Sequence, residues 1–173
     1  KASIKEILIV TGSEHAGDFL KLLGSGKDFG CKFTYELQDS AAGIADALRL
    51  AEDFADGEKI VVILGDNIFE DDISKYAHEF EKGNDEAAIF LKEVPDPQRF
   101  GVPELNGEKV VGIEEKPKKP KSNFAIVGLY MYDKNVFDII RNLKPSDREE
   151  LEITDVNNDY IEKNQMTYDV IKG

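Results

Sequence analysis

The sequence contains one cysteine, two histidines and no tryptophan among its 173 residues. Cys31 alone cannot form an intramolecular disulfide or a multi-cysteine metal site, and a reducing cytosol is its natural compartment. His15 and His78 lie too far apart in the sequence for the spacing of paired metal ligands. No segment approaches the ~20 apolar residues that a transmembrane helix requires. We therefore expect a cytoplasmic protein with neither a membrane span nor a signal peptide.

Basic residues are also scarce relative to acidic ones. The chain has 22 lysines and arginines against 35 aspartates and glutamates, for a net charge of −13. A field of this sign repels nucleic acid polymers and anionic membranes, so we expect neither as a partner. A nucleotide remains compatible with the charge if a local basic cluster and a metal ion offset it. The length and the hydrophobic content of 41% predict a single domain over residues 1–173.

Apolar strand patterns alternate with helical patterns through the first half of the chain. The predicted strands are Ile4–Val10 (its apolar core Glu6–Val10), Cys31–Leu37, Lys59–Leu64 and Ala87–Val94, and the predicted helices are Ser13–Leu23, Ala42–Phe54 and Asp72–Glu81. Strands and helices in this order predict right-handed β-α-β units and a parallel sheet covered by helices.

The second half predicts shorter strands joined by tight turns. Strands are expected at Gly101–Leu105, Lys109–Glu114, Phe124–Tyr132 and Met166–Ile171, and helices at Val136–Leu143 and Ile153–Lys163. Asn106-Gly107 is a strong hairpin signal, and Pro103 indicates a strand edge or a bend. The predicted fold class is therefore α/β, with three layers, a mostly parallel sheet and a small antiparallel insertion. The insertion holds the basic loop Lys116–Lys121, which is either a solvated turn or an anion-facing site.

The apolar run Ile60–Leu64 is the strongest single strand signal in the chain. Five consecutive apolar residues are typical of a strand buried on both faces of a parallel sheet. Gly65 ends this strand, and Asp66 follows at the edge where open α/β sheets bind ligands. Hard divalent cations prefer oxygen ligands, so Asp66 is a candidate Mg²⁺ ligand. The alternative is that Asp66 only caps the following helix.

Five segments, read in order, together resemble the sugar-1-phosphate nucleotidyltransferases, and most closely the glucose-1-phosphate thymidylyltransferase branch. The most specific are the long block that begins Glu114-Glu-Lys-Pro and ends Gly128-Leu-Tyr, and the later Glu152-Ile-Thr-Asp. The other three lie at residues 36–47, 64–69 and 96–102. The resemblance spans nearly the whole chain and implies a Rossmann-like nucleotidyltransferase core. It also implies transfer of a nucleotidyl group from dTTP to glucose 1-phosphate with Mg²⁺, giving dTDP-glucose and pyrophosphate.

The resemblance also implies roles for individual positions. Asp66 matches the metal-binding aspartate, and Lys116 matches the base that holds the sugar phosphate; these two are the candidate catalytic residues. Glu115 matches the acid that hydrogen-bonds the sugar hydroxyls. The remaining positions match nucleotide contacts, at Gln38, Gly43, Leu64 and Gly65, and contacts to the sugar phosphate, at Gly101, Ile126 and Gly128. Two alternatives stay open: a loop turn for Gly43, and a surface ion pair for Glu115 and Lys116.

Two features of the family have no counterpart in these 173 residues. One is the Gly-rich basic loop that cradles the triphosphate, and the other is a Trp-x-Asp-x-Gly segment that supplies a second metal carboxylate. The chain is therefore expected to correspond to a central part of the enzyme, with impaired activity when isolated. A non-catalytic sugar-phosphate or nucleotide-binding fragment, an assembly module, or another nucleotide or sugar specificity are the alternatives. An exposed strand edge would favour a homo-oligomer.

Overall fold

The computed structural model describes residues 4–172. Its strands are β1 (Glu6–Gly12), β2 (Lys32–Gln38), β3 (Ile60–Ile63), β4 (Ala87–Glu93), β5 (Gly101–Asn106), β6 (Lys109–Glu115), β7 (Phe124–Tyr132) and β8 (Met166–Val170). Its α-helices are α1 (Ala16–Leu23), α2 (Ile44–Arg49), α3 (Glu52–Ala55), α4 (Ser74–Lys82), α5 (Val136–Asn142) and α6 (Ile153–Glu162). Within these residues, no helix is both long enough and apolar enough to cross a membrane.

Four strands form the central sheet in the order β3-β7-β4-β8. β3, β4 and β8 run in one direction, whereas β7 lies antiparallel between β3 and β4. β1 and β2 pair in parallel as a separate two-stranded sheet, and β5 and β6 form an antiparallel hairpin. The predicted α/β class, with mostly parallel strands and a small antiparallel insertion, is confirmed.

Helices cover both faces of the central sheet and give the three predicted layers. On one face, α2, α5 and α6 pack over a large core that includes Ile89 and Leu91 of β4 and Tyr132 of β7. On the other face, α4 packs over a smaller core that includes Phe90 and Met131. Because successive strand residues point to opposite faces, each of β4 and β7 contributes side chains to both cores.

β3 is the end strand of the central sheet, so the prediction that it lies away from an exposed edge is wrong, whereas its side chains pack against the cores on both faces. It pairs only with β7 among the described residues, and Ile63 is 47% exposed. The interior position belongs to β7, which was expected in the antiparallel insertion. β7 has nine residues and buries apolar side chains on both faces, so it stabilises an interior position better than the four-residue β3.

The predicted helix over Ala42–Phe54 is two short helices, α2 and α3. The backbone N–H groups of Leu50 and Ala51 hydrogen-bond to the carbonyls of Ala47 and Leu48, which tightens the chain between them. The other predicted elements occur with ends shifted by a few residues. Cys31 lies just before β2 and is half-buried, not a buried residue of the strand.

Candidate functional site

Asp66 lies in a turn directly after β3, at the carboxyl end of the strand, and is exposed. Asn67 Nδ2 donates a hydrogen bond of 2.7 Å to Asp66 Oδ1. The next α-helix begins only at Ser74, so the alternative that Asp66 caps it is wrong. The neighbouring amide therefore orients this carboxylate at the sheet edge.

The turn after β3 is held against β7 at Gly128. The Leu64 N–H donates to Gly128 O at 2.8 Å, and the Gly128 N–H donates to Asn67 Oδ1 at 3.1 Å. A Cβ atom on Gly128 would lie 2.6 Å from Asn67 Nδ2 and 2.8 Å from Leu64 Cβ. Contacts this short do not occur, so only glycine lets the turn approach β7. Leu64 and the exposed Gly65 lie in this turn.

Glu115 is the last residue of β6, and its carboxylate contacts a hydroxyl and two cations. Thr154 Oγ1 donates to Glu115 Oε2 at 2.9 Å. Lys116 Nζ lies 3.7 Å and Arg148 Nη2 lies 3.8 Å from Glu115 Oε1. The Glu115 side chain is 30% exposed, so these groups meet at the surface of a cleft. The ion pair between Glu115 and Lys116 thus exists, but as part of a larger cluster.

Backbone and carboxylate contacts hold the two cations in place. Lys116 has a φ of +46°, an unusual conformation for a residue other than glycine, and its N–H donates to Phe100 O at 3.0 Å. Arg148 donates to Glu152 through Nε at 3.1 Å and through Nη2 at 2.8 Å. The hydrogen bonds to Glu152 raise the pKa of Arg148, and the charges of Glu150 and Glu115 raise it further. Arg148 therefore stays charged beside Glu115.

A cavity of about 380 Å³ opens beside this cluster. Its walls include Glu115, Arg148 and Thr154, together with Ser146, Glu152 and Asp155. Partial desolvation raises the pKa of Asp155, and the charges of Glu152 and Glu115 raise it further. The cavity is therefore lined mainly by acidic and other hydrogen-bonding groups, with Arg148 as a cation among them, which suits a polar ligand that carries hydroxyls.

The charges of Asp66 and Glu115 both act on Tyr130 of β7. The phenol is buried, which raises its pKa, and the negative charges of Glu115 and Asp66 raise it further. Both charges act on one buried ring, because a protein interior screens charge less than water does. The arrangement supports one shared cleft, which stays a prediction.

Gly101 and Ile126 lie beside Glu115. Gly101 pairs with Glu115 across the hairpin, and a Cβ at Gly101 would lie 3.4 Å from Glu115 Oε2 and 3.6 Å from Ile126 Cδ1. Ile126 is 9% exposed and belongs to the larger core. Its side chain thus forms a wall under Gly101, and the predicted role of both residues in binding stays a prediction.

Gln38 and Gly43 lie together at the end of β2. Gln38 Nε2 donates to Gly43 O at 3.1 Å and to Asp46 Oδ2 at 2.9 Å. Gly43 has a φ of +103°, and a Cβ there would lie 2.4 Å from Leu151 O. The packing of this loop on Leu151 therefore requires glycine, as the loop-turn alternative predicted. Contact of either residue with a nucleotide base stays a prediction.

Three residues of this site were not singled out from the sequence: Asn67, Arg148 and Thr154. Asn67 follows Asp66 directly, and the other two lie in or next to the segment Glu150–Asn157, which the resemblance already contained. The one available signal was Arg148 itself, an arginine just before a run of acidic residues. Among residues 4–172, no group of three or more histidine, cysteine, aspartate and glutamate residues could hold a metal ion.

A family model described as Nucleotidyl transferase matches residues 1–173. The chain belongs to this nucleotidyl transferase family. Glucose-1-phosphate thymidylyltransferase of Neisseria meningitidis is 39% identical over 178 residues, which cover 98% of this chain and 60% of that protein. The protein of the same name from Mycolicibacterium smegmatis is 40% identical over 172 residues, which cover 98% of this chain and 59% of that protein. The chain therefore spans about 60% of the length of these relatives.

Solved structures agree with this assignment to the nucleotidyl transferase family. A crystal structure of a "Putative Glucose-1-Phosphate Thymidylyltransferase" from Bacillus anthracis, in complex with a sucrose, is 53% identical with a TM-score of 0.91. The match covers 96% of this chain and 68% of the Bacillus anthracis chain. A UDP-glucose pyrophosphorylase complexed with UDP-glucose has a TM-score of 0.81 at 23% identity. The match covers 99% of this chain and 75% of the pyrophosphorylase chain, and it shows the shared fold alone.

Proposed function

We propose that the whole protein transfers a nucleotidyl group from dTTP to glucose 1-phosphate, giving dTDP-glucose and pyrophosphate. The observation that carries the proposal is the cluster at the end of β6, where Lys116 and Arg148 both lie within 4 Å of Glu115 Oε1. The names of the relatives support the reaction class.

The cluster suits both parts of a sugar phosphate. A phosphate dianion requires cations, which Lys116 and Arg148 supply, and arginine can bind phosphate through two hydrogen bonds. Sugar hydroxyls require acceptors, which the Glu115 carboxylate supplies. When a phosphate takes over the contacts of Lys116 and Arg148, Glu115 Oε1 becomes available to a hydroxyl, while Thr154 still holds Oε2.

In the proposed reaction, a phosphate oxygen of glucose 1-phosphate attacks the α-phosphorus of dTTP. The new P–O bond forms as the bond to the β-phosphate oxygen breaks, and pyrophosphate leaves with that electron pair. Lys116 and Arg148 hold the attacking phosphate in place. Mg²⁺ is commonly bound by one or two carboxylates plus substrate phosphates, and Asp66 fits as one such carboxylate. A bound Mg²⁺ would neutralise charge on the phosphates.

Gln38 offers a basis for the choice of base. Its amide nitrogen already donates to Gly43 and Asp46, so only Oε1 remains to bind a base edge, as an acceptor. Thymine and uracil present an N3–H donor at that edge, whereas cytosine presents an acceptor at N3. Gln38 would therefore accept from a thymine or uracil and disfavour cytosine. We place the reaction in a reducing cytosol, as the single Cys31 favours.

Binding of glucose 1-phosphate to the 173-residue chain tests the proposal directly. We expect calorimetry to detect binding that weakens about tenfold in Lys116→Ala, or about 1.4 kcal/mol, and weakens further as salt rises. The exposed Lys119, in the same loop, provides the control: Lys119→Ala should leave the affinity within about twofold of the unchanged chain. Equal losses in the two variants, or no binding at all, would contradict the proposed site.

Turnover of the same chain separates binding from catalysis. The chain lacks a Gly-rich basic loop, and charge stabilisation of that kind is worth about 3 kcal/mol per group. We therefore expect very little pyrophosphate release from dTTP and glucose 1-phosphate. Release at about 1 s⁻¹ or faster, which is within the ordinary range for enzymes, would show that other residues replace the loop.

A further inference from the structure

Within residues 4–172, the outer edge of β6 faces α6 and pairs with no further strand. In the hairpin, Ile113 of β6 lies opposite Pro103 of β5. Proline has no N–H, and Pro103 O accepts a hydrogen bond from Ser122 Oγ at 2.8 Å, away from β6. The Ile113 N–H and C=O therefore point to the outer edge of the hairpin, where a further strand would normally bind them.

Asn158 of α6 takes the place of that strand. The Ile113 N–H donates to Asn158 Oδ1 at 2.9 Å, and Asn158 Nδ2 donates to Ile113 O at 3.0 Å. One side-chain amide thus satisfies both main-chain groups of a residue that is only 8% exposed. A buried peptide group without a partner costs about 1–3 kcal/mol, so this pair of bonds strongly favours one position of β6.

Glu115 lies two residues beyond Ile113, at the end of the same strand. Thr154 lies one helical turn before Asn158 on α6 and binds the Glu115 carboxylate. Two side chains on one helix face therefore hold the strand end and the functional group that it carries. Both interactions are long-range, since α6 lies well after β6 in the sequence.

Two cavities adjoin the end of β6. Ile113, Glu114 and Asn158 all line the cavity of about 380 Å³ beside Glu115. The same three residues also line a second cavity of about 310 Å³ on the hairpin, which Lys121 and Ile161 help to enclose. Packing alone leaves room for the end of β6 to shift, because open volume adjoins it at both cavities.

We infer that Asn158 is a positioning residue for the sugar-phosphate site: its amide fixes the main chain of Ile113 and thereby places Glu115 relative to Arg148 and Thr154. The inference rests on the proposed function of the Glu115 cluster. Both amide groups of Asn158 bond to Ile113, so we expect its removal to act through Glu115 and to disturb recognition of the sugar more than recognition of phosphate.

Calorimetric binding to the 173-residue chain and its variants tests this role with two probes, glucose 1-phosphate and inorganic phosphate. In Asn158→Ala, the Kd for glucose 1-phosphate should rise about fivefold or more, while the Kd for inorganic phosphate changes less than about twofold. Asn158→Asp keeps the acceptor for the Ile113 N–H and loses the donor, so an intermediate rise is expected. This isosteric variant also serves if Asn158→Ala does not fold.

The hydrogen bond between Tyr132 of β7 and Asn157, which neighbours Asn158 on α6, provides a control. Asn157 Oδ1 accepts a hydrogen bond of 2.6 Å from the buried Tyr132 hydroxyl, away from β6. Tyr132→Phe removes that bond without enlarging the side chain and should lower the free energy of unfolding. It should leave both Kd values within about twofold of the unchanged chain. Stability loss alone therefore cannot mimic the expected change in the ratio of the two affinities.

A double-mutant cycle with Glu115→Gln tests whether Asn158 acts through Glu115. In that background, Asn158→Ala should weaken glucose 1-phosphate binding by less than about twofold. Equal fold-changes for both probes, or full additivity with Glu115→Gln, would overturn the inference and leave the proposed function standing. Absence of glucose 1-phosphate binding by the unchanged chain would overturn the proposed function, and the inference with it.

Discussion

Gly128→Ala is the smallest change expected to disturb the turn that carries Asp66. The new Cβ would lie 2.6 Å from Asn67 Nδ2 and 2.8 Å from both Cβ and Cγ of Leu64. Ordinary contacts of this kind begin near 3.4 Å, so the turn and β7 must separate by more than half an ångström. Leu64 Cβ is attached directly to the main chain and cannot swing aside.

Separation of the turn from β7 would weaken two hydrogen bonds across this contact: Leu64 N–H to Gly128 O, and Gly128 N–H to Asn67 Oδ1. Insertion of a methyl group into a filled site costs about 1–3 kcal/mol. For a chain of this size, 1 kcal/mol lowers Tm by about 2–4 °C, so Tm should fall by about 2–12 °C. Asn67 also orients Asp66, so Mg²⁺-dependent binding of dTTP should weaken as well.

Thermal unfolding measures the change in Tm, urea unfolding measures the free energy of unfolding, and calorimetry measures nucleotide binding. Gly112→Ala is the control, because it makes the same change within a strand where no atom lies within 4 Å of the new Cβ. The control should keep or slightly raise stability, since alanine restricts the unfolded chain more than glycine. If Gly128→Ala unfolds at the same urea concentration as Gly112→Ala, the close approach of the turn to β7 is wrong.

Two further predictions concern the sheet edge and the loop after β2. Ile63→Lys places a charge on the exposed end strand β3, so light scattering should show less self-association than in the unchanged chain. Ile68→Lys, which changes an exposed isoleucine outside the strand, is the control and should not reduce association. Equal association in all three proteins would contradict pairing at the edge of β3. Hydrogen bonds from Gln38 and Arg49 lower the pKa of Asp46 below its ordinary 3.8. Because the pKa of Asp46 is lower in the folded protein, its ionised carboxylate stabilises the fold at pH values above the pKa of the unfolded state. This stabilisation is lost as the pH falls through the pKa of the folded state. Asp46→Asn should therefore reduce the free energy of unfolding at neutral pH by an amount that shrinks below pH 3.8; a difference independent of pH would count against the assigned cause.

Local patterns in the sequence were enough for most of the secondary structure and for the family. The Asn106-Gly107 signal predicted the β5–β6 hairpin because two-residue turns demand specific backbone conformations that few residues adopt. The position of Asp66 at a strand end followed from the apolar run before it. The family followed from motifs such as Glu152-Ile-Thr-Asp, since their order along the chain is itself specific.

Only the tertiary structure decided which strands are neighbours and which side chains meet. Continuous apolar runs show that β3 and β7 are strands, but they do not encode pairing, which depends on how much apolar surface each strand covers in the assembled sheet. The meeting of Arg148 and Asn158 with the end of β6 depends on how α6 packs against the hairpin. The need for glycine at Gly128 likewise arises from a backbone that approaches from another part of the chain. Contacts between distant residues carry no local sequence period, so the sequence alone could not reveal them.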